Sequence, residues 1–145
     1  MQLPEYITIP EVRRVCQELD FRDWTQLTST EVLAEEARVL RLEVGGEALQ
    51  IPLEEFQKGL EIELEHGRIF PDANVSNNHP VVTARIVLAH LKEMLDYYSR
   101  LEVAEIEGDM LKASIANDQE KLAAKYDKLI AARLRLSQWE SRSKS

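Results

Sequence analysis

Between Pro80 and Gly108 the sequence has neither glycine nor proline, and that run limits the fold more than any other feature of the 145-residue chain. Proline and glycine are the strongest breaks in helical patterns, and only five of each occur in the whole sequence. The run therefore predicts one helix from Pro80 to Glu107, with Pro80 at its first position and Asn78 or His79 as its cap. At 100° per residue, Ala84, Leu88, Leu91, Leu95 and Tyr98 share one face, while Val82, Ile86, His90, Glu93, Tyr97 and Leu101 share the opposite one. A helix apolar on two sides belongs in the middle of a bundle. The expectation is an all-α fold, a compact bundle of about four helices with a long C-terminal helix, in which Ile86 and Leu88 are both buried.

The remaining breaks place the other helices. After Pro10, the residues Val12, Val15, Cys16 and Leu19 recur at i, i+3, i+4 and i+7, which predicts a first helix of about three turns. Thr28 with Glu31 reads as a capping box ahead of a second helix over 30–43, ended by Gly45-Gly46. Pro52 opens a third, with Leu53, Phe56, Leu60 and Leu64 inward and Gly67 as a left-handed stop. Beyond Gly108, the residues Ile115, Leu122, Leu129 and Leu136 are spaced by seven, with Tyr126 between them. That seam wants a partner helix, either on the same chain or in a dimeric coiled coil. The expected organisation is a helical domain over 1–108, an amphipathic helix over 109–140 and a disordered tail over 141–145.

Composition narrows the classes of function. Charged residues make up 30% of the chain and the net charge is −8, so the surface as a whole is no nucleic-acid footprint and no nucleic-acid partner is expected. The charge is unevenly spread: residues 1–110 hold 10 Lys and Arg against 22 Asp and Glu, and residues 111–145 hold 8 against 4. A basic tail on an acidic body suggests packing on its own body or a neighbouring subunit, or a separate acidic partner. The expected partner is a protein or a second copy, engaged through the C-terminal helix. Cys16 is the only cysteine, so no intramolecular disulfide can form, and its apolar stripe predicts a buried thiol in a cytoplasmic protein. No window approaches the roughly 20 apolar residues of a membrane span, and no basic leader precedes Pro10.

Two of the three histidines lie three residues from a glutamate within a predicted helix: Glu63 with His66, and His90 with Glu93. Spacing i, i+3 puts imidazole and carboxylate on one helical face, where a pair can address one divalent cation. Four-helix di-iron proteins use Glu-x-x-His in this way, although their bridging glutamates have no clear counterpart here. Glu63, His66, His90 and Glu93 are thus the candidate ligands for zinc, iron or manganese, with Tyr97 as a candidate hydrogen-bonding support. Set against that reading, Glu63 and His66 can be a solvated pair near a helix end, and a buried His90 can simply bond a carboxylate or tyrosine. His79, beside Pro80, reads as a cap, and Glu61, Glu65 and Asp96 as charged surface. The chain has no Gly-rich phosphate loop, Cys-x-x-Cys, His-Glu-x-x-His or Gly-x-Ser-x-Gly. A Cys–His nucleophile would require an exposed Cys16.

The strings Glu63-Leu64-Glu65-His66-Gly67, Asn74-Val75-Ser76-Asn77, Leu88-Ala89-His90-Leu91 with Glu93, and Asp96-Tyr97-Tyr98 resemble the uncharacterised family DUF5661, found in bacteria and phages. The resemblance covers about residues 53–102, with Cys16 to Trp24 similar to the family's lead-in. It implies a small helical domain and supplies no activity. Asn78-His79 stand where the family tends to acidic residues, and Leu95 where it tends to proline. On this resemblance, 27–50 and the stretch beyond Gly108 are additions to a shorter family form. Two classes of function follow: a divalent-metal site on the third and fourth helices, or a non-catalytic interaction or oligomerisation module in which the same residues form a buried polar network.

Overall fold

A computed structural model describes residues 4–143. Their regular structure is wholly helical: α1 (Ile9–Glu18), α2 (Ala34–Val44), α3 (Leu53–Ile69), α4 (Pro80–Glu93), α5 (Tyr97–Ile115) and α6 (Gln119–Ser143), with short 3-10 turns at Gly46–Gln50 and Pro71–Ala73. The all-α class is as expected, but the helices outnumber the expected set because the run from Pro80 does not stay whole. The chain divides into two compact units, the first ending at Leu95 and the second beginning at Asp96.

In the first unit, α4 packs against α1, α2 and α3. Its buried residues are Pro80, Thr83, Ala84, Val87 and Leu91, a single stripe at i, i+3, i+4, i+7 and i+11. Ile86 is 38% exposed and Leu88 half-buried, so the expectation that α4 is buried on two sides is corrected. Its neighbours in that unit lie mainly against this stripe, and the residues on the other side are half-buried or exposed. The core around it contains Val12, Trp24, Leu40, Phe56, Leu60 and Leu64, all fully buried. Cys16 is buried, as its stripe predicts, and the loss of solvent pushes its thiol pKa up.

α1 begins where Thr8 Oγ1 accepts from Glu11 N–H at 3.3 Å. α2 begins later than the capping-box pattern suggests. The residues before it are held extended by other parts of the chain: Arg68 donates to the Thr28 carbonyl, Arg22 to that of Glu31 and Gln57 to that of Val32, while Val32 N–H donates to Glu61. Those bonds satisfy backbone groups that an added helical turn would need, so tertiary contacts override the local signal. Glu36 takes over as cap, its carboxylate accepting from Leu33 N–H at 3.0 Å. Gly45, at φ +65°, ends α2 as expected.

The second unit is an antiparallel hairpin of α5 and α6. Gly108, where the sequence suggests a domain boundary, lies inside α5. A glycine within a helix costs about 1 kcal/mol relative to alanine and need not break it. The turn falls instead at Ala116-Asn117-Asp118. Asn117 adopts φ +54°, Asp118 N–H donates to the Ala113 carbonyl, and the Asp118 carboxylate accepts from Lys121 N–H. Leu129 is buried and Leu122 and Leu136 half-buried, with Ile106, Leu129 and Ala132 forming the seam. The partner helix of that seam is therefore α5 of the same chain, and Ile115, on α5 itself, is 74% exposed. Of the tail expected to be disordered, 141–143 continue α6, with Ser141 Oγ donating to the Ser137 carbonyl. Lys144 and Ser145 lie outside the described residues, as do Met1, Gln2 and Leu3 at the N-terminus.

Candidate functional site

The candidate site belongs to the first unit and begins on α3. Glu63 projects from its buried side, with its side chain 16% exposed, and both nearby imidazoles approach it. His66 Nδ1 stands 3.8 Å from Glu63 Oε2, one turn along the same helix. His90 Nε2 reaches Glu63 Oε1 at 3.6 Å from α4. The i, i+3 spacing accounts for the first approach. The second arises because α3 and α4 pack together, with Gly59 buried one turn before Glu63.

Beside this cluster lies a cleft of about 230 Å³ lined by Glu63, His66, Gly67, Phe70, Ala73, Asn74, Val75, Ser76, Thr83 and Ile86. Its shape follows from the loop between α3 and α4. Asn74 Nδ2 donates to the Gly67 carbonyl at 3.0 Å and to Asn78 Oδ1 at 2.9 Å. A Cβ on Gly67 would collide with Asn78 Oδ1 and crowd Asn74. Gly67 therefore serves the close approach of this loop. It is not the left-handed stop that the sequence suggests, since α3 runs on to Ile69. Asn77 and Asn78 take φ +48° and +60°, conformations that asparagine tolerates better than most residues. Asn77 Nδ2 also donates to the Ile7 carbonyl, tying the loop to the segment before α1.

His79 is the cap that its position implies: it is buried, and its Nδ1 accepts from Val82 N–H at 3.4 Å. Desolvation lowers its pKa, partly offset by the attraction of Glu11, and so favours the neutral ring that can accept that bond. Glu93 is solvent-exposed on the last turn of α4. The expectation that it shares a buried face with Ile86 and His90 is corrected, because α4 ends there and its buried stripe is the other one. Tyr97 opens α5 in the second unit, its ring edge-to-face with Tyr98 at 5.1 Å. Glu61 is also more than charged surface, since it accepts from Val32 N–H. The role of the loop asparagines had a signal in Asn74, Asn77 and Asn78 beside Gly67, but only the folded contact shows which asparagine meets the glycine.

The class defined by this fold and site is a small all-α module with an imidazole–carboxylate–imidazole cluster at the edge of a narrow cleft. A family model, Protein of unknown function (DUF5661), matches residues 12–107, and the chain belongs to that family. The match takes in all of 27–50, so that stretch is part of the family form and no addition to it. No curated protein and no solved structure matches the chain. Among the described residues, no helix is long and apolar enough to cross a membrane.

Proposed function

We propose that this module binds a divalent cation through Glu63, His66 and His90 beside the α3–α4 cleft. The observation that carries the reading is the meeting of two imidazoles from different helices on one largely buried carboxylate. Their separations of 3.6 and 3.8 Å exceed a good hydrogen bond. They lie near the roughly 3.3–3.5 Å between nitrogen and oxygen ligands of one tetrahedral zinc. His66 and His90 use different oxygens of Glu63, so a shared ion requires a side-chain rotation, which the partial exposure of His66 permits. Glu93, one turn beyond His90, is the nearest carboxylate along α4 to serve as a further ligand. Imidazole with carboxylate suits zinc, iron or manganese.

A second reading treats the same residues as a polar network that fastens α3 to α4 in a non-catalytic interaction module. It rests on the same approach of His66 and His90 to Glu63; among the described residues, no group of three or more His, Cys, Asp or Glu is placed to hold an ion. Elemental analysis of untagged protein for all three metals separates the readings, together with melting curves with added ion and with chelator. The metal reading expects near-stoichiometric ion and a higher melting temperature with ion present, both lost in His90→Ala and retained in His79→Ala. Absence of metal after aerobic and anaerobic reconstitution, with melting indifferent to ion and chelator, leaves the network.

A further inference from the structure

The cleft beside Glu63 is lined by side chains of two kinds. Phe70, Val75 and Ile86, three of the large apolar side chains that the first unit leaves exposed, stand around it. Glu63 and His66 are the only ionisable groups among its lining residues, and no lysine or arginine joins them. Thr83 adds a buried polar group. It is 3% exposed and lines the cleft, and among the described residues its hydroxyl makes no hydrogen bond. A buried hydroxyl left without a partner costs free energy that a ligand or water in the cleft can recover.

The lining also divides the candidate metal ligands. Glu63 and His66 form part of the cleft wall, whereas His90 and the exposed Glu93 do not. An ion held by Glu63, His66 and His90 therefore turns one side to the cleft. Three protein ligands leave a tetrahedral ion one position for a ligand from outside.

We propose that a small monocarboxylate with an apolar body fills that position, an inference that rests on the metal reading above. Charge sets the head group. With His66 neutral and no ion, the cleft presents only the Glu63 carboxylate and repels anions; a divalent ion on one carboxylate and two neutral imidazoles leaves a single positive charge and attracts one. No lysine or arginine lines the cleft to offset the further charge of a phosphate or a dicarboxylate. The Thr83 hydroxyl is the donor for the second carboxylate oxygen. Volume and lining set the body. The cleft of about 230 Å³ exceeds the roughly 150 Å³ of an apolar cavity that takes up benzene, so one aromatic ring fits against Phe70, Val75 and Ile86. Its walls are held before any ligand arrives, because Asn74 binds Gly67 and Asn78, and Asn77 binds Ile7.

Cobalt(II), whose visible absorption follows its ligands, tests this in the full chain. Benzoate is the probe, with acetate for the same head without a ring and benzylamine for the same ring with the opposite charge. Benzoate should change the cobalt spectrum and bind about tenfold or more tighter than acetate. Calorimetry should detect no binding of benzylamine to the cobalt protein, and none of benzoate to the metal-free chain. Ile86→Asn and Val75→Asn should each weaken benzoate about fivefold and leave acetate unchanged, and Val75, on the loop, decides the matter if Ile86→Asn disturbs the fold. Thr83→Val should weaken both acids alike. The two failures are distinct. A chain that takes up no cobalt removes the metal reading and this one with it. Cobalt bound with a spectrum indifferent to benzoate leaves the metal reading standing and overturns the carboxylate, as when Glu93 completes the ion. Equal binding of benzoate to the metal-free chain, no preference over acetate, or indifference to both asparagine variants also overturns it.

Discussion

The two units spend their side chains differently. In the first, Trp24, Leu40, Phe56, Leu60, Leu64 and Val87 are fully buried, and loop backbone is tied to helices by buried or half-buried polar groups such as Glu36, Glu61, Gln57 and Asn74. In the second, the seam gathers Ile106, Leu129 and Ala132 with Val103 and Met110 against it, Tyr98 and Ala113 are also buried on α5, and exposed ion pairs flank the seam. A core that encloses whole side chains penalises any change of volume. A two-helix seam leaves one side of each helix to solvent. The difference separates a unit able to hold side chains at fixed geometry from one with little enclosed core.

The largest expected effect lies in the first unit. Trp24 is fully buried, stacks near Phe21 with ring centroids 6.2 Å apart, and donates its indole N–H to Glu36 at 3.4 Å. Trp24→Ala should cost about 3–5 kcal/mol, since it leaves a cavity in a closed core. Denaturant titration followed by hydrogen exchange should show protection falling across α1 to α4 and persisting in the α5–α6 hairpin. Equal loss in both units would show that the division at Leu95 is not energetic and would break the comparison.

An intermediate effect is expected at Glu36, which is 4% exposed and receives Arg22, Leu33 N–H and Trp24. Burial alone would raise its pKa, but the hydrogen bond from Arg22, followed by those from Leu33 and Trp24 and the guanidinium charge, brings it below the usual carboxylate value. A depressed folded pKa contributes stability above the unfolded value near 4.5, and that stability is lost as pH falls through the folded value. Glu36→Gln should therefore cost about 1.5–3 kcal/mol at neutral pH and flatten the acid limb of stability against pH. An unchanged acid limb would place the acid sensitivity elsewhere.

The sequence shows the first unit unevenly. Helix starts and ends marked by local chemistry were legible: Pro10 for α1, Gly45 for α2, His79 and Pro80 for α4. The start of α2 was not, because bonds from Arg68, Arg22 and Gln57 decide it and no window of sequence contains them. Nor was the break after Glu93. Met94 turns extended, at φ −154°, without glycine or proline, and the family's proline at Leu95 was the available hint. In the site, i, i+3 spacing picked out Glu63, His66 and His90, and both imidazoles do approach Glu63. The same repeat put Glu93 on a buried face, and it is exposed instead, because a helical repeat cannot say on which turn a helix stops.

The smallest effects should come from the hairpin's ion pairs. Arg133 with Glu107 and Arg135 with Glu102 join α5 to α6 across solvent, with side chains between 31% and 61% exposed. Exposed pairs gain little from Coulomb attraction in water and lose side-chain entropy on forming, so Arg133→Ala or Arg135→Ala should cost less than about 1 kcal/mol each. The signature that separates them from Glu36 is salt. With a screening length of about 8 Å at physiological ionic strength, added salt should erase most of the hairpin effect. The Arg22–Glu36 pair has its carboxylate buried, at 5% exposed, and its guanidinium 34% exposed, so salt should screen it less and leave most of its contribution. Thermal melts of Arg135→Ala and Glu36→Gln at low and high salt measure the contrast directly. If the Arg135 effect proved large and independent of salt, the hairpin would be held by more than its thin seam, and the division of roles between the two units would fail.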